Sequence, residues 1–202
     1  LQSNGSYTYV ADQSVADGLS KTSSAQDVFT YTIQDSQQTS DQAALVFTIS
    51  GLNDIPVAIN DNASLNQQTT VTKTVSQGLV ANDSDLDLDT LTITAIRTGT
   101  ETGSGSEGTV GTALTGTYGT LTLQSDGSYT YVADQAAASA LSLNVDGVDH
   151  FTYTISDGTV VDQGKLSLTV TGLNDAPTVT SPIADQAGLT EVGISVNTAN
   201  AF

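Results

Sequence analysis

The chain has 202 residues and carries 22 acidic side chains against only four basic ones, for a formal charge of −18. Such a field repels nucleic acid and anionic lipid and draws counterions. Cys, Met and Trp are absent, which excludes disulfides and thiolate metal sites and leaves the core, or hard cations bound through oxygen, to hold the fold together.

No apolar run approaches the ~18 residues that cross a bilayer, and Leu1 does not open a signal peptide, so the start reads as a cut into a longer protein. Nineteen of the acids are Asp, and only Glu101, Glu107 and Glu191 are Glu. Asp favours turns and ion-binding loops where Glu favours helices, so this bias argues against a helical protein.

The first segment announces a repeat. LQSNGSYTYVADQ (1–13) returns as LQSDGSYTYVADQ (123–135), with twelve of thirteen positions identical at an offset of 122. VFTYTIQD (28–35) returns as HFTYTISD (150–157) at the same offset, and ISGLNDIP (49–56) as VTGLNDAP (170–177) at an offset of 121. A period this long is a domain, not a solenoid rung or a propeller blade. Residues 1–56 then form the C-terminal half of a first unit, 57–175 a complete unit, and 176–202 the opening strands of a third.

Within a unit the segments read as strands. In LTLQSDGSYTYV two alternating runs meet at Asp126-Gly127, with Asn4-Gly5 at the equivalent place, and these dipeptides predict a type I′ hairpin turn. TLTITAI places Leu91, Ile93 and Ala95 on one face; FTYTI does the same for Phe151, Tyr153 and Ile155, and KLSLTVT for Leu166, Leu168 and Val170. Ala136–Leu143 fits a single helical turn, and GTETGSGSEG (99–108) a solvated, flexible loop. Six to eight strands without an amphipathic helix predict an all-β fold of tandem antiparallel β-sandwiches.

The acidic run ANDSDLDLDT (81–90) is the main candidate site. Asp83, Asp85, Asp87 and Asp89 recur at every second position, and four carboxylates with no basic residue near them in sequence call for a cation. Ca²⁺ is the expected ion. On an extended strand residues i and i+2 stand ~6.6 Å apart, too far for all four to reach one ion, so the segment must curl or divide its acids between ions. An EF-hand loop is excluded, because its sixth position would be Leu88 and its twelfth Thr94. Leu86 and Leu88 are expected to point inward from a strand. GLND, at 51–54 and 172–175, precedes Pro56 or Pro177 by one residue and reads as a stiff boundary linker bearing side-chain oxygens.

In this order, GLNDIPVA, LVANDSDLDLDTLTI, GTLTLQSDGSYTYVAD, DHFTYTISDG and LSLTVTGLNDAP resemble the cadherin-like VCBS repeats of giant bacterial RTX adhesins over nearly all of residues 1–177. PIADQ in 176–202 is similar to the start of a dystroglycan-type cadherin-like domain. The resemblance implies Ca²⁺ at domain junctions. The first junction would use Asn53 and Asp54 of the linker, Asp83 and Asp85 of the following unit and Asp35 of the preceding one, with Asp87 and Asp89 serving a second ion or an intradomain site. The second junction would use Asn174, Asp175 and Asp157. Two departures stand out: Asn66, Gln67 and Gln68 where family members often carry acids, and Leu88 where they often carry Gly.

Catalysis has little support. His150, the only histidine, falls opposite Phe151 on a surface face, and no Cys nucleophile exists. The expected protein is therefore not an enzyme but a secreted, Ca²⁺-stiffened extender of a bacterial surface adhesin, active in adhesion or biofilm. Its partners would be neighbouring repeats, with no nucleic acid and no membrane insertion. The alternatives are a filament or matrix subunit joined end to end as a homopolymer by strand complementation, and a carbohydrate-binding module in which Tyr7 and Tyr9, or Tyr129 and Tyr131, stack on sugars; their spacing opposite Thr favours a core role.

Overall fold

The computed structural model describes residues 1–177, so the expectation for a third unit at 176–202 lies almost wholly outside the described residues. In chain order the elements are α1 (Ser14–Asp17), β1 (Ser24–Gln34), β2 (Ser40–Ser50), β3 (Asp61–Asn66) and β4 (Thr70–Lys73), then 3₁₀ turns at Val75–Gln77 and Leu79–Ala81. There follow β5 (Thr92–Thr98), β6 (Glu107–Gly108), β7 (Ala113–Thr115), β8 (Thr120–Leu123), β9 (Tyr129–Val132), α2 (Ala136–Ser139), β10 (Asp146–Ser156) and β11 (Val161–Thr171).

The chain is all-β. Strands β3-β11-β10-β5-β6 form one sheet and β4-β9-β8-β7 another, while β1 and β2 stand as a separate antiparallel hairpin. One pairing departs from the antiparallel expectation, since β3 lies parallel to β11. The core sits between the two larger sheets. Phe151, Tyr153, Ile155, Leu166, Leu168 and Val170 meet Leu121, Leu123, Tyr129 and Tyr131 there, all buried, as the alternation predicts.

Two local expectations are corrected. The β8–β9 turn has three residues and not two: Gln124 N–H donates to Ser128 O (2.9 Å), Gly127 N–H to Gln124 O (3.1 Å), and of the loop residues only Gly127 takes positive φ, +82°. A type I turn closed by a glycine bulge has this pattern, and Gly5 (φ +83°) repeats it. In β5 the register shifts between Thr154 and Ile155 of the partner strand, leaving Thr94 unpaired. The bulge turns the alternation over, so Ile93 and Ile96 are buried while Ala95 is only half-buried. The 99–108 loop also joins the edge of the sheet, through Glu107–Gly108 paired with Arg97 and Ile96.

In the hairpin segment the same side chains lack the covering sheet. Tyr7, Tyr9, Phe29 and Phe47 match Tyr129, Tyr131, Phe151 and Leu168 of the sandwich, but Tyr7 and Phe29 are exposed. The four rings gather on themselves, with Tyr9 stacked on Phe47 at 4.1 Å.

One polar group is built into the core. Asp149, 4% exposed, accepts the N–H groups of Thr117 (2.8 Å), Tyr118 (3.0 Å) and Gly119 (3.1 Å) and the Tyr131 hydroxyl (2.7 Å). Tyr9 donates to Asp27 in the same way at 2.6 Å in the first copy. Without this carboxylate four donors lose their acceptor in a closed site. Asp149→Ala is expected to cost roughly 1 to 3 kcal/mol for each buried donor left unpaired, read by chemical denaturation, with Asp149→Asn losing less.

Candidate metal centre

The linker is set by glycine. A Cβ at Gly51 would overlap the carbonyl oxygens of Leu19 and Ser20, and one at Gly172 those of Leu141 and Ser142. The turn between the short helix and the long strand therefore lies directly on the GLND segment in both copies, secured by Gly51 N–H to Ser23 O (3.0 Å) and Gly172 N–H to Val145 O (2.9 Å). In the first copy that turn carries Lys21. Pro56 is buried beyond the linker, and a two-way bridge between Val57 and Ser84 (2.8 and 3.1 Å) pins the acidic run beside it.

The run curls. Asp85 Oδ1 accepts the N–H groups of Asp87 (2.8 Å) and Asp89 (3.3 Å), Leu88 N–H returns to Asp85 O (3.2 Å), and Leu88 takes φ +60°. One oxygen from each of Asp85, Asp87 and Asp89 thereby falls within 4.8 Å of the others. The inward Leu expectation is overturned, because Leu86 is 52% and Leu88 90% exposed. A turn has no inner face on which to bury them, and Leu88 occupies a left-handed position that suits Gly, the residue expected there from the resemblance.

The linker and both flanking segments meet this turn. Asp87 Oδ2 accepts the N–H of Asp54 (2.8 Å), while its Oδ1 accepts the N–H of Lys21. The Lys21 ammonium bonds Asn53 Oδ1 (3.1 Å) and pairs with Asp89. Asn53 Nδ2 donates to Asp157 Oδ2 at 2.7 Å. The expectation of no basic group near the acids is thus corrected: Lys21 is far away in sequence but adjacent in the fold. The N–H of Asp54, the largest cause, and Lys21 hold the Asp87 carboxyl below the usual range; the Asn53 amide, the Val160 and Thr159 N–H groups and Lys21 do the same for Asp157. Asp89 raises the Lys21 ammonium in turn.

Two ligand assignments change place. Asp35 lies at the tip of the β1–β2 hairpin, where its Oδ1 accepts Gln37 and Thr39 N–H (2.8 and 2.9 Å). Strands of 11 residues separate that tip from the end carrying Asn53, a distance of ~35 Å, so Asp35 cannot share an ion with Asn53. Asp157, at the equivalent tip, serves the linker upstream of its own sandwich and not the one downstream. At the second linker, Asp175 Oδ1 accepts from Gln67 (3.2 Å), and Asn174 lies exposed beside it. Gln67 is 3% exposed with Oε1 unpartnered, a buried oxygen donor where the resemblance expects an acid.

Asp83 stands apart from the triad. It accepts Ile59 N–H (2.7 Å) in a second acidic group with Asp61, held by the Tyr153 hydroxyl (2.8 Å), and Asp162, held by Ala58 N–H (2.8 Å). No motif marked Asp61 or Asp162, because they come together only through the β3–β11 pairing. Burial first, and then Asp61 and Asp162, push the Asp83 carboxyl up to about 6, against the Ile59 N–H.

The residues fit a hard cation. Asp54 Oδ2, Asp83 Oδ2 and Asp85 Oδ2 are buried without a hydrogen-bond partner, and every side-chain donor at the triad is oxygen, which suits Ca²⁺ and not Zn²⁺. Carboxylate oxygens within 4.8 Å repel by roughly 3 kcal/mol per pair at an effective dielectric near 20. One ammonium cannot balance Asp85, Asp87, Asp89 and the neighbouring Asp157.

The Asp83 shift has a sign. A carboxyl raised in the folded state from 3.8 to about 6 stabilises the fold while protonated, so this contribution is fully present below about 4 and lost as pH rises through about 6. Asp87 and Asp157, lowered, act in a separate window below 3.8. In metal-free buffer the melting temperature is expected to fall between pH 4 and 6, and Asp83→Asn to flatten that fall.

The chain has recognisable relatives. It is 28% identical over 176 residues to the calcium-binding lectin RapA2 of Rhizobium johnstonii, covering 85% of this chain and 70% of RapA2. Among solved structures it overlaps the endo-fucoidan hydrolases MfFcnA4 and MfFcnA9 of glycoside hydrolase family 107 at 17% and 16% identity, with TM-scores of 0.35 and 0.30. Those overlaps cover 78% and 71% of this chain but only 19% and 22% of the hydrolases. The bacterial cadherin-like domain matches residues 53–172, which span the linker, the acidic run and the sandwich through β11. On that match, the chain belongs to the bacterial cadherin-like domain family.

Proposed function

We propose that this chain is an extracellular, Ca²⁺-stiffened extender of a large bacterial surface adhesin of the VCBS-repeat kind, which spaces a distal binding domain from the cell. In this reading residues 1–56 are the C-terminal half of one unit, 57–175 a complete unit and 176–202 the start of another. The role is mechanical and not catalytic. The observation that carries the reading is the meeting of Asp85, Asp87 and Asp89 with Asn53 and Asp54, including buried carboxylate oxygens that have no partner. The calcium-binding name of RapA2 agrees with it.

Asn53, Asp54, Asp85, Asp87, Asp89 and Asp157 would hold the ion. Bound there, Ca²⁺ supplies the positive charge that the carboxylates lack. Asp87 already joins the preceding segment and the linker through two N–H groups, so neutralising its neighbours removes the repulsion that opposes this closed arrangement. An ion that binds the closed junction and not the open one stabilises it by RT ln(1 + [Ca²⁺]/Kd). At the ~10⁻⁴ to 10⁻³ M Kd of extracellular modules, millimolar Ca²⁺ contributes ~1 kcal/mol per site. That is enough to bias straight against bent.

Carbohydrate binding is the second reading, favoured by the lectin name of RapA2. Against it, the exposed rings Tyr7 and Phe29 match the buried Tyr129 and Phe151, so their exposure reflects a core without its second sheet. The two readings separate when melting in 5 mM Ca²⁺ or excess chelator is paired with a glycan array. The extender reading expects several degrees of stabilisation by Ca²⁺ and no glycan bound; equal melting in both buffers contradicts the extender reading, and glycan ligands on the array favour the second.

A further inference from the structure

The lysine that enters the acidic cluster differs between the two copies. The 122-residue offset that relates Phe29 to Phe151 places Leu143 where the first copy has Lys21. The supporting geometry is otherwise shared: Gly51 and Gly172 each lie against the carbonyls of this turn. In the first copy the ammonium reaches Asn53 and Asp89, two of the oxygen donors that an ion would use, and the backbone N–H of Lys21 holds Asp87. In the second copy Leu143 is 54% exposed.

The cluster also retains an unfilled donor. Asp85 is 9% exposed, and its Oδ2 has no partner although its Oδ1 accepts two N–H groups. The ammonium thus occupies part of the cluster and leaves the buried Asp85 Oδ2 free.

We propose that Lys21 is a tethered cation that shares this junction with Ca²⁺: its ammonium holds Asn53 and Asp89 when no ion is bound and weakens the junction's affinity for the ion, whereas the next unit, with Leu143, offers no ammonium from that position. The proposal rests on the Ca²⁺ reading above. It makes Lys21 a residue that sets the Ca²⁺ concentration at which this junction stiffens. A chain carrying Lys at one junction and Leu at the next would stiffen at two different Ca²⁺ levels. The tether acts by charge: an ammonium beside the ion's ligands opposes a divalent cation, and its long stem lets it swing out to solvent as the ion enters.

Isothermal titration of the full chain with CaCl₂ tests this, using wild type, Lys21→Met and Lys21→Arg. Lys21→Met keeps the stem and removes the charge, and is expected to bind one ion with a Kd lowered about tenfold. It should also melt below wild type in chelator and draw level with it in saturating Ca²⁺. Lys21→Arg should titrate within about twofold of wild type. A Kd for Lys21→Met equal to or weaker than that of wild type, with Ca²⁺ heats present, overturns the proposal and leaves the Ca²⁺ reading standing. Absence of Ca²⁺ heats in all three proteins overturns both.

Discussion

Three carboxylates, Asp85, Asp87 and Asp89, come together where the hairpin segment runs into the sandwich, with Asp157 close enough to act on Asp87, and their mutual repulsion is the constraint around which this part of the molecule is arranged. Each structural device nearby answers it in part. Backbone N–H groups of Lys21 and Asp54 aim at Asp87, the Asn53 amide meets Asp157, and the Asp85 side chain closes a turn on its own run. Together with one ammonium these are dipoles and a single charge set against several full charges. The chain belongs to the bacterial cadherin-like domain family, and on the proposed reading the chemistry of the cluster gives that membership a physical meaning: the junction would be stable to the degree that its charge is neutralised.

The sandwich brings these groups to one place through strand length. Strands β10 and β11 run 11 residues antiparallel, so the turn between them returns Asp157 to the pole where the chain entered at Asn53. The parallel partner β3 starts at the same pole and carries Asp61, so a second acidic group forms beside the first. The core above is ordinary by comparison. Its two sheets bury alternating apolar side chains, and Asp149 anchors the turn before β8 with four hydrogen bonds. The frame thus presents its acids at one end, which is where the proposed extender would need a switchable joint.

Much of this was legible in residues alone. The 122-residue repeat located the strands, and the alternation in FTYTI and KLSLTVT named the buried faces correctly. The need for the acidic run to curl also followed from strand spacing, since extended backbone cannot gather four carboxylates. The bulge at Thr94 was not legible, because a register shift against β10 leaves no mark on the local pattern. Assigning Asp35 to the following linker failed for a reason that strand direction could have supplied: a residue at a hairpin tip lies one full strand away from the linker that follows the hairpin. Lys21 was invisible because its role depends on a 66-residue separation from Asp87, and its counterpart in the next copy is Leu143. Gln67 stands where the resemblance expects an acid, yet its amide lies buried against Asp175.

The most direct measurement is the anomalous diffraction signal of a crystal of this chain grown in millimolar CaCl₂. The account predicts a Ca²⁺ peak within coordination distance of carboxylate oxygens from Asp85, Asp87 and Asp89, on the side facing Asn53 and Asp54. A map with no anomalous peak at that cluster, while Lys21 remains paired with Asp89 in saturating Ca²⁺, would contradict it.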